Sequence, residues 1–477
     1  MFEKSTDVRP GVVLAAVAVV QFMVSLDLSV VNVGLPQIAA GLGFSALGLT
    51  WVIHAYALTF GGFLLLGGKA ADRYGRRRVL LIGLAVFGLA SLAGGFAQVP
   101  GHLVAARTVQ GIGAATLAPA ALSLLATTFP SGKARIRAFG IWSAVNAIGG
   151  AFGVLAGGIL TQYAGWRWVM FVSVPMAAVA FVLAARGVHA DRVTTRSGRP
   201  DLLGAVLATG GLTLLVYGVV RTDRYPWSSA RTLTTLLIAI ALLVAFVVVE
   251  KTTRREPLVR LGLFSNRSVS GANAFNLLIG AAMASTFYFM TLYLQNVLGI
   301  GPAKAGLMFL PFALGVVAGA TLTVKLGHTF SARTLLAAGA LLSAAGFAWF
   351  GLISADGSYV ADILFPSLIA SVGFGLCLGP VVSTATVGVD PRETGTASGL
   401  LNSSRQIGAS FGLAAFGTAA HDRTGQVVTG ETLTNGYALG FTLCAGVLVV
   451  AALVAFGVLR RVETVAPAVQ TLVPERD

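Results

Sequence analysis

An aspartate interrupts an otherwise apolar stretch near the start of the chain. Asp27 lies in VVQFMVSLDLSVVNVGLPQI, a segment apolar enough to cross a membrane. A carboxylate at the bilayer centre costs roughly 2.5–3.5 kcal/mol on insertion scales, and ionisable residues at that depth usually mark ion pathways. If the water around Asp27 changes with conformation, its protonation becomes linked to that conformation. Asp27 is therefore the first candidate for proton coupling.

Arg107 is the candidate partner of this carboxylate. It lies in LVAARTVQGIGAA, a few residues into another apolar run, and Gln110 follows it. Asp27 is the only clear acid within the first six apolar runs, so we expect the two charges to pair. Burial favours the neutral carboxyl group and a nearby guanidinium favours the ionised one, which makes such a pair titratable. Two alternatives stay open: Arg107 could extend to the interface, or the pair could be a static link.

The composition excludes a soluble protein. Of the 477 residues, 56% are hydrophobic and 11% are charged, against about 25% charged residues in soluble domains. The net charge of +15 is better explained by basic cytoplasmic loops than by nucleic-acid binding. Cys377 and Cys444 lack the spacing of a metal site or a disulfide framework. The histidines are scattered, so no cluster predicts a membrane-embedded enzyme.

About fourteen apolar runs are long enough to span a bilayer. The first is too long for a signal peptide. The predicted spans are 12–36, 49–68, 79–98, 102–127, 138–161, 167–186, 202–220, 232–249, 269–297, 304–325, 334–353, 360–388, 396–419 and 437–459.

The connections predict the orientation. KAADRYGRRR, SGKARIR, RGVHADRVTTRSGRP and EKTTRREPLVRLGLFSNRS are basic, whereas QIAAGLGFSALG and QVPGH contain no Lys or Arg. The excess of Lys and Arg in cytoplasmic loops places both termini in the cytoplasm. RTDRYPWSSAR is an exception on the outer side.

The chain also repeats itself. GIWSAVNAIGGAFG from Gly140 aligns with GLLNSSRQIGASFG from Gly399, and GIGAATLAP is echoed by GFGLCLGP. Parallel repeats are typical of transporters whose binding site lies between the halves. We therefore expect an N-terminal six-helix bundle at 1–187, an inserted helix pair with cytoplasmic loops at 188–268, and a C-terminal six-helix bundle with a tail at 269–477.

Two motifs indicate conformational change. In GKAADRYGRRR, the acid Asp72 is flanked by glycines, which allow neighbouring helix ends to approach. Such an acid can latch two helices through a helix N-terminus or a basic partner. The residues of this motif are Gly68, Asp72, Gly75, Arg76 and Arg77. A second set of glycines, at Gly149, Gly153, Gly157 and Gly158, forms a smooth helix face, which fits a static contact or a sliding surface equally well.

These stretches together resemble the major facilitator superfamily, and specifically its fourteen-helix drug:proton antiporter branch of multidrug and antibiotic efflux proteins. LDLSVVNVGLP looks like the first-helix motif of that branch, GKAADRYGRRR like the superfamily loop motif, and LVAARTVQGIGAA like its fourth-helix motif. One departure is in GVLAGG, where Val154 replaces the proline of the family's antiporter motif.

The resemblance implies an all-α membrane protein with the major facilitator fold, two six-helix bundles and two inserted helices. It also implies a proton-coupled secondary transporter of the bacterial inner membrane that exports amphiphilic drugs, antibiotics or related toxic small molecules by alternating access. Such a protein is not an enzyme and uses no cofactor besides the proton. Its partners would be a small-molecule substrate and the lipid bilayer, without nucleic acid, and it would act as a monomer. The alternative is an importer or facilitator of a metabolite, which the departure at Val154 keeps open.

Seven polar or aromatic side chains lie on helices that line the cavity in this family. They are Asn32, Trp51, His54, Tyr56, Tyr288, Tyr293 and Gln295. Each could equally be a contact between helices. Since only one carboxylate is well buried, we expect neutral or singly charged amphiphilic substrates.

Overall fold

The computed structural model describes residues 10–129, 133–188, 201–223, 225–253, 257–259, 261–327, 329–389 and 394–459. These residues form fourteen helical rods, numbered here in chain order. Their bounds are Pro10–Leu42 (α1), Ala46–Tyr74 (α2), Arg76–Gly95 (α3), Pro100–Thr128 (α4), Lys133–Tyr163 (α5), Arg167–Gly187 (α6), Leu202–Val220 (α7), Ala230–Thr252 (α8), Arg267–Val297 (α9), Pro302–Leu326 (α10), Ala332–Phe350 (α11), Tyr359–Ala385 (α12), Thr394–Thr424 (α13) and Gly430–Val458 (α14). Parts of the basic connections SGKARIR, RGVHADRVTTRSGRP and EKTTRREPLVRLGLFSNRS lie outside the described residues.

Each predicted span overlaps one rod, which confirms the fourteen-helix prediction. Thirteen of the rods formed by the described residues are long and apolar enough to cross a bilayer. The exception is α13, whose run NSSRQ makes it polar. Because α2, α9 and α14 all pack against α13, its polar residues have protein neighbours on several sides.

Helices α1, α2 and α14 extend well beyond a predicted end, α2 by continuing to Tyr74. Helix α1 continues through Pro36 to Leu42, since a proline removes only one backbone hydrogen bond and long membrane helices tolerate it. Helix α14 begins at Gly430, because Thr429 and Thr432 form a reciprocal cap that satisfies its first N–H groups. Such local bonds are invisible to a search for apolar runs.

Helices α1–α6 pack on one another, and so do α9–α14; we call these sets the first group and the second group. In the first group α1 packs on α5, and α2 and α3 pack on α4. In the second group α9 packs on α13 and α14, and α12 on α10 and α11. Helices α7 and α8 form a pair, and α7 contacts α2 and α13, one helix from each group. Where the domain boundaries lie stays a prediction.

The two groups contact each other through α2 and α13 and also at one end of the bundle. We call the end that carries residues 68–78 the basic end and the other the opposite end. At the opposite end, Gln37 Nε2 donates to Gln295 Oε1 at 3.0 Å. The backbone N–H of Ala303 donates to Gln162 Oε1 at 3.0 Å. These bonds join α1 to α9 and α5 to α10, so the groups are held together at the opposite end.

Candidate functional site

Asp27 and Arg107 form an ion pair inside the first group. Arg107 Nη1 donates to Asp27 Oδ2 at 2.7 Å and thereby joins α4 to α1. Asp27 is fully buried and Arg107 exposes only 2% of its surface. The structure therefore contains the contact that the sequence predicted, and Arg107 does not extend to an interface. A role of this pair in proton coupling stays a prediction.

Neighbouring groups satisfy the remaining polar atoms of the pair. Gln110 Nε2 donates to Asp27 Oδ1 at 2.9 Å, and Gln110 Oε1 accepts from Arg107 Nη1 at 2.8 Å. The same amide nitrogen donates to Ser91 Oγ at 2.7 Å, and Arg107 Nε donates to the Val52 carbonyl oxygen at 3.0 Å. Buried charges are tolerated only when such bonds replace their hydration. The network joins α1, α2, α3 and α4 around one carboxyl group.

Tyr56 stacks on the Arg107 guanidinium at the wall of the space between the groups. The Arg107 guanidinium carbon is 4.3 Å from the centroid of the Tyr56 ring, a favourable cation–π distance. Tyr56 and Arg107 both line the central cavity, whereas Asp27 lies behind them.

A central cavity of about 300 Å³ lies between the two groups. This volume is at the lower limit of the roughly 300–1,000 Å³ found for small-molecule sites. Helices α1, α2, α4 and α5 line it on one side, and α9, α10, α12 and α13 on the other. Most of the wall is apolar or aromatic. The polar side chains of the wall are Ser25, Ser29, Asn32, Tyr56, Arg107, Asn146, Arg405 and Gln406.

Of the seven side chains predicted to line this cavity, Asn32 and Tyr56 do so. The other five lie outside its wall, which corrects that prediction for this conformation. They are Trp51, His54, Tyr288, Tyr293 and Gln295.

Three of these five form hydrogen bonds between chain segments instead. Tyr288 donates to a backbone carbonyl at the start of α2 at 3.2 Å. Tyr293 donates to a carbonyl of the α11–α12 connection at 2.6 Å. Gln295 donates to a carbonyl of α1 at 2.8 Å. The bonds of Tyr288 and Gln295 therefore join the two groups at the opposite end, whereas the bond of Tyr293 lies within the second group.

Trp51 faces α7, and His54 packs against Trp51. The ring centroid of Trp51 lies 6.0 Å from that of Tyr217 and 5.7 Å from that of His54. His54 is fully buried, and neither of its ring nitrogens has a hydrogen-bond partner among the described residues. Both side chains pack as core residues beside the inserted pair, which is the alternative that the sequence left open.

The α2–α3 connection is a tight turn at Gly75. Its φ of +93° lies in a region that glycine adopts far more readily than other residues. Across this turn Asp72 Oδ1 lies 4.0 Å from Arg76 Nη2. Arg77 Nη2 donates to the carbonyl oxygen of Ala185 in α6 at 2.6 Å. The motif therefore ties the ends of α2, α3 and α6 together at the basic end.

The close helix approach expected at Gly68 is made by its neighbour. A Cβ on Gly68 would meet Pro119 Cβ at 3.5 Å, an ordinary contact. A Cβ on Gly67 would instead collide with the Ala115 carbonyl oxygen of α4. Gly67, one residue before this motif, is thus the residue that lets α2 touch α4, because its side of the helix faces that neighbour.

Three of the predicted glycines form the contact of α5 with α1. A Cβ on Gly149, Gly153 or Gly157 would lie 2.9, 2.7 or 2.6 Å from a carbonyl oxygen of α1. A Cβ on Gly158 would collide with the backbone of Pro302 in α10, so this glycine permits a contact between the groups. The smooth face therefore serves two close helix contacts. A sliding role stays a prediction.

Helix α5 continues without interruption at Val154, where the family motif has proline. The Val154 side chain is buried and lines the central cavity. With valine instead of proline at this position, the backbone hydrogen bonds of α5 continue without interruption, and an apolar side chain faces the cavity.

Sequence patterns did not single out three polar wall residues. Asn146 Oδ1 accepts from Gln21 Nε2 at 2.7 Å and from Ser25 Oγ at 2.5 Å. Arg405 and Gln406 line the cavity from α13. Arg405 carries the same signal as Asp27, a charge inside a predicted span, and that signal could have identified it.

The chain is similar to known proteins over most of its length. The model of the Major Facilitator Superfamily matches residues 17–413. A cephamycin export protein of Amycolatopsis lactamdurans is 45% identical over 413 residues, which cover 86% of this chain and 85% of that protein. A puromycin resistance protein of Streptomyces alboniger is 37% identical, covering 93% of this chain and 90% of that protein.

Solved structures with the same fold include a peptide transporter in complex with sulfate. It has a TM-score of 0.68 at 17% identity and covers 93% of both chains. A bacterial homologue of the lysosomal transporter Spinster, in an inward-facing and unoccupied conformation, has a TM-score of 0.63 at 18% identity and covers 95% of this chain and 97% of that one. Fold, site geometry and relatives agree, and the chain belongs to the Major Facilitator Superfamily of membrane transporters.

Proposed function

We propose that this protein is a proton-coupled secondary transporter that exports amphiphilic antibiotics or related toxic small molecules by alternating access. The observation that carries this proposal is the fully buried Asp27–Arg107 pair beside a cavity between two helix groups. Relatives that cover most of the chain are a cephamycin export protein and a puromycin resistance protein, which supports export as the direction.

The basic end faces the cytoplasm in this proposal. The connections with most Arg and Lys lie there, and such residues are retained on the cytoplasmic side of bacterial membranes. Both termini are then cytoplasmic, and the contacts at the opposite end close the external side. While the external side is closed, the cavity receives substrate from the cytoplasm.

Asp27 carries the proton. Its carboxylate accepts hydrogen bonds from Arg107 and Gln110. Proton uptake removes the charge that holds α1 to α4 and leaves Arg107 bonded to the Val52 carbonyl and stacked on Tyr56. The energy that held the two helices together falls, so the conformation without this ion pair becomes accessible. Release of the proton to the cytoplasm restores it.

The two glycine motifs act at the ends of the bundle. The Asp72 connection latches the basic end in one conformation, and α5 moves over α1 and α10 as the external side opens. Gly153 and Gly158 allow these close contacts, which small residues make in membrane helices.

The cavity is suited to an amphiphilic molecule. Phe287, Phe309 and Phe312 offer aromatic surface on one side, and polar groups such as Asn32 offer hydrogen bonds on the other. All of these side chains come from a single chain, so we propose that the monomer is the functional unit. It acts as a transporter and not as an enzyme, and the proton is its coupling ion.

The alternative is import or facilitated passage of a metabolite. The continuous helix at Val154 favours it, because the antiporter motif of the family has proline there. Import would move the substrate inward with the membrane potential or its own gradient. Transport assays in membranes of both orientations distinguish the two.

The test uses cells expressing the wild type, Asp27→Asn or Asp422→Asn. Asp422 is exposed near the end of α13 and provides a matched loss of one carboxylate. We expect the wild type and Asp422→Asn to raise tolerance to compounds such as puromycin, and Asp27→Asn not to. Everted vesicles should take up the same compound when acidified inside. Export is refuted if the wild type raises tolerance to none of a broad panel and moves no compound against a proton gradient. Proton coupling by Asp27 is refuted if Asp27→Asn transports uphill at full rate with unchanged pH dependence.

A further inference from the structure

Arg405 is a second cation in the wall of the central cavity. It lies in α13, and its guanidinium is charged at every physiological pH. Its Nη2 donates to Asn402 Oδ1 on the same helix at 3.4 Å. Within the described residues that amide is the hydrogen-bond partner of the Arg405 side chain, and no carboxylate lies within ion-pair distance of it.

The two arginines of the cavity wall differ in their partners. Asp27 neutralises Arg107 from behind the wall, at 2.7 Å. Among the described residues that line the cavity, none carries a carboxylate. The wall therefore has one net positive charge, at Arg405. A cation at membrane depth without a counter-charge is costly, which makes it a functional site by default.

The segment of α13 around Arg405 is held in place by its neighbours. Ser403 Oγ donates to the Gly61 carbonyl oxygen of α2 at 2.8 Å, and Ser404 Oγ donates to Asn273 Oδ1 of α9 at 2.7 Å. A binding residue on a segment anchored to two helices is preorganised, so less entropy is lost when it binds a ligand. These bonds also explain why a polar run is tolerated in α13.

We propose that Arg405 binds a single anionic group, a carboxylate or sulfonate, of the exported molecule. The planar guanidinium offers two parallel N–H donors that match such a group. Gln406 beside it in the wall offers an amide, and Phe287 of α9 and Phe312 of α10, on the same side of the cavity, accept the apolar part. This inference rests on the proposed export function, because it names the charge of that cargo: amphiphilic and singly negative.

The anion site and the proton site lie in different groups of helices. Arg405 belongs to the second group, whereas Asp27 is buried behind Arg107 in the first. The cargo therefore does not displace the proton by direct contact, and the two are coupled through the conformational change.

The test is a binding measurement on the purified full-length protein in nanodiscs. Three fluorescent probes share one apolar ring system and differ in charge: dansylglycine is an anion, dansylglycinamide is neutral, and dansylethylenediamine is a cation. A hydrogen-bonded charge contact corresponds to roughly 10- to 100-fold in affinity. We expect the wild type to bind dansylglycine tighter than the other two by such a factor. Arg405→Gln should abolish this preference while binding of dansylglycinamide persists.

Two further variants complete the test. Arg423→Gln removes one exposed positive charge from the same helix and should behave as the wild type. Arg405→Lys keeps the charge but loses the two-pronged donor and should weaken dansylglycine binding about tenfold. The inference is overturned if the wild type does not bind dansylglycine, or binds all three probes equally. It is also overturned if Arg405→Gln keeps the preference, or if Arg405→Lys leaves the affinity for dansylglycine unchanged.

The experiments distinguish a failure of the anion site from a failure of the proposed export function. Selective binding of dansylglycine without proton-driven transport in proteoliposomes would leave the anion site standing and refute proton-coupled export. Proton-driven transport of dansylglycinamide without any preference for dansylglycine would support export and refute the anion site. The wild-type comparison decides the matter even if Arg405→Gln does not fold.

Discussion

Replacing one member of the Asp27–Arg107 pair should destabilise the protein more than replacing both. Asp27→Asn leaves a buried guanidinium without its counter-charge, and Arg107→Gln leaves a carboxyl group that is fully excluded from solvent. The double variant Asp27→Asn/Arg107→Gln places two neutral amides in nearly the same volume. Two amides can hydrogen-bond to each other and to Gln110.

The expected magnitude follows from the burial and from the bonds that remain. Removing one partner of a buried pair costs about 3–5 kcal/mol in the free energy of unfolding. Asp27→Asn should lie near the lower value, since Arg107 keeps the Val52 carbonyl at 3.0 Å and the Tyr56 ring at 4.3 Å. Arg107→Gln should lie near the upper value, because Asp27 keeps one bond, from Gln110 at 2.9 Å. The double variant exchanges charged bonds for neutral ones and should cost under about 2 kcal/mol.

The two cysteines of the chain provide the assay. Cys377 and Cys444 are both buried and free, so a thiol-reactive dye labels the protein only after unfolding. Unfolding by SDS in mixed micelles, followed with such a dye, gives the free energy for the wild type and the three variants. Coupling between the two sites should reach about 6 kcal/mol or more.

Additive effects of the two substitutions would refute this reasoning. Additivity would mean that the 2.7 Å contact contributes nothing beyond the separate environments of its members. It would also remove the basis for a proton-controlled link between α1 and α4. A double variant that is less stable than either single variant would do the same.

Three further predictions concern the helix contacts and the cargo. Gly153→Leu should abolish transport and lower the unfolding midpoint, since a Cβ there already lies 2.7 Å from the Leu26 carbonyl oxygen; Gly140→Leu, whose Cβ would meet nothing within 4 Å, should do neither. Gly75→Ala should destabilise the protein by about 1 kcal/mol because φ is +93° there, and an unchanged unfolding free energy would contradict this strain. If one proton enters for each anion that leaves, the exchange is equivalent to moving two positive charges inward, and a membrane potential of 100 mV contributes about 4.6 kcal/mol to export of dansylglycine. Export of the neutral dansylglycinamide moves only the charge of the proton, so the potential contributes half as much. Collapsing the potential with valinomycin in potassium-loaded vesicles should therefore slow dansylglycine uptake more, and equal slowing would contradict an anionic cargo.

The predicted and observed elements differ mainly where local bonds or helix orientation matter. The apolar runs were sufficient to locate every rod, including α13, although its Ser403, Ser404 and Arg405 make it too polar for a strict hydropathy criterion. The ends of α1 and α14 were missed because Pro36 does not stop a membrane helix and Thr429 caps one earlier than the apolar run begins.

The candidate site was predictable in part. A charge in an apolar run is visible in a linear sequence, so Asp27 and Arg107 could be paired by elimination. The same signal is present at Arg405, a charge inside the predicted span 396–419. The seven cavity residues were predicted only from the helices on which they lie. Five of them point away from the cavity, because packing between helices sets the rotation of each helix about its axis.

Composition and spacing alone establish a bundle of fourteen membrane helices, its basic connections and the two charges of its first group, since the cost of exposing polar groups to lipid acts on each segment separately. The tertiary structure decides which side chains meet. It places Gln110 and Ser91 around Asp27, moves the close contact from Gly68 to Gly67, and brings Arg405 to the cavity without a carboxylate. Those outcomes depend on the rotation and crossing of helices distant in sequence, which no local pattern of hydrophobicity encodes.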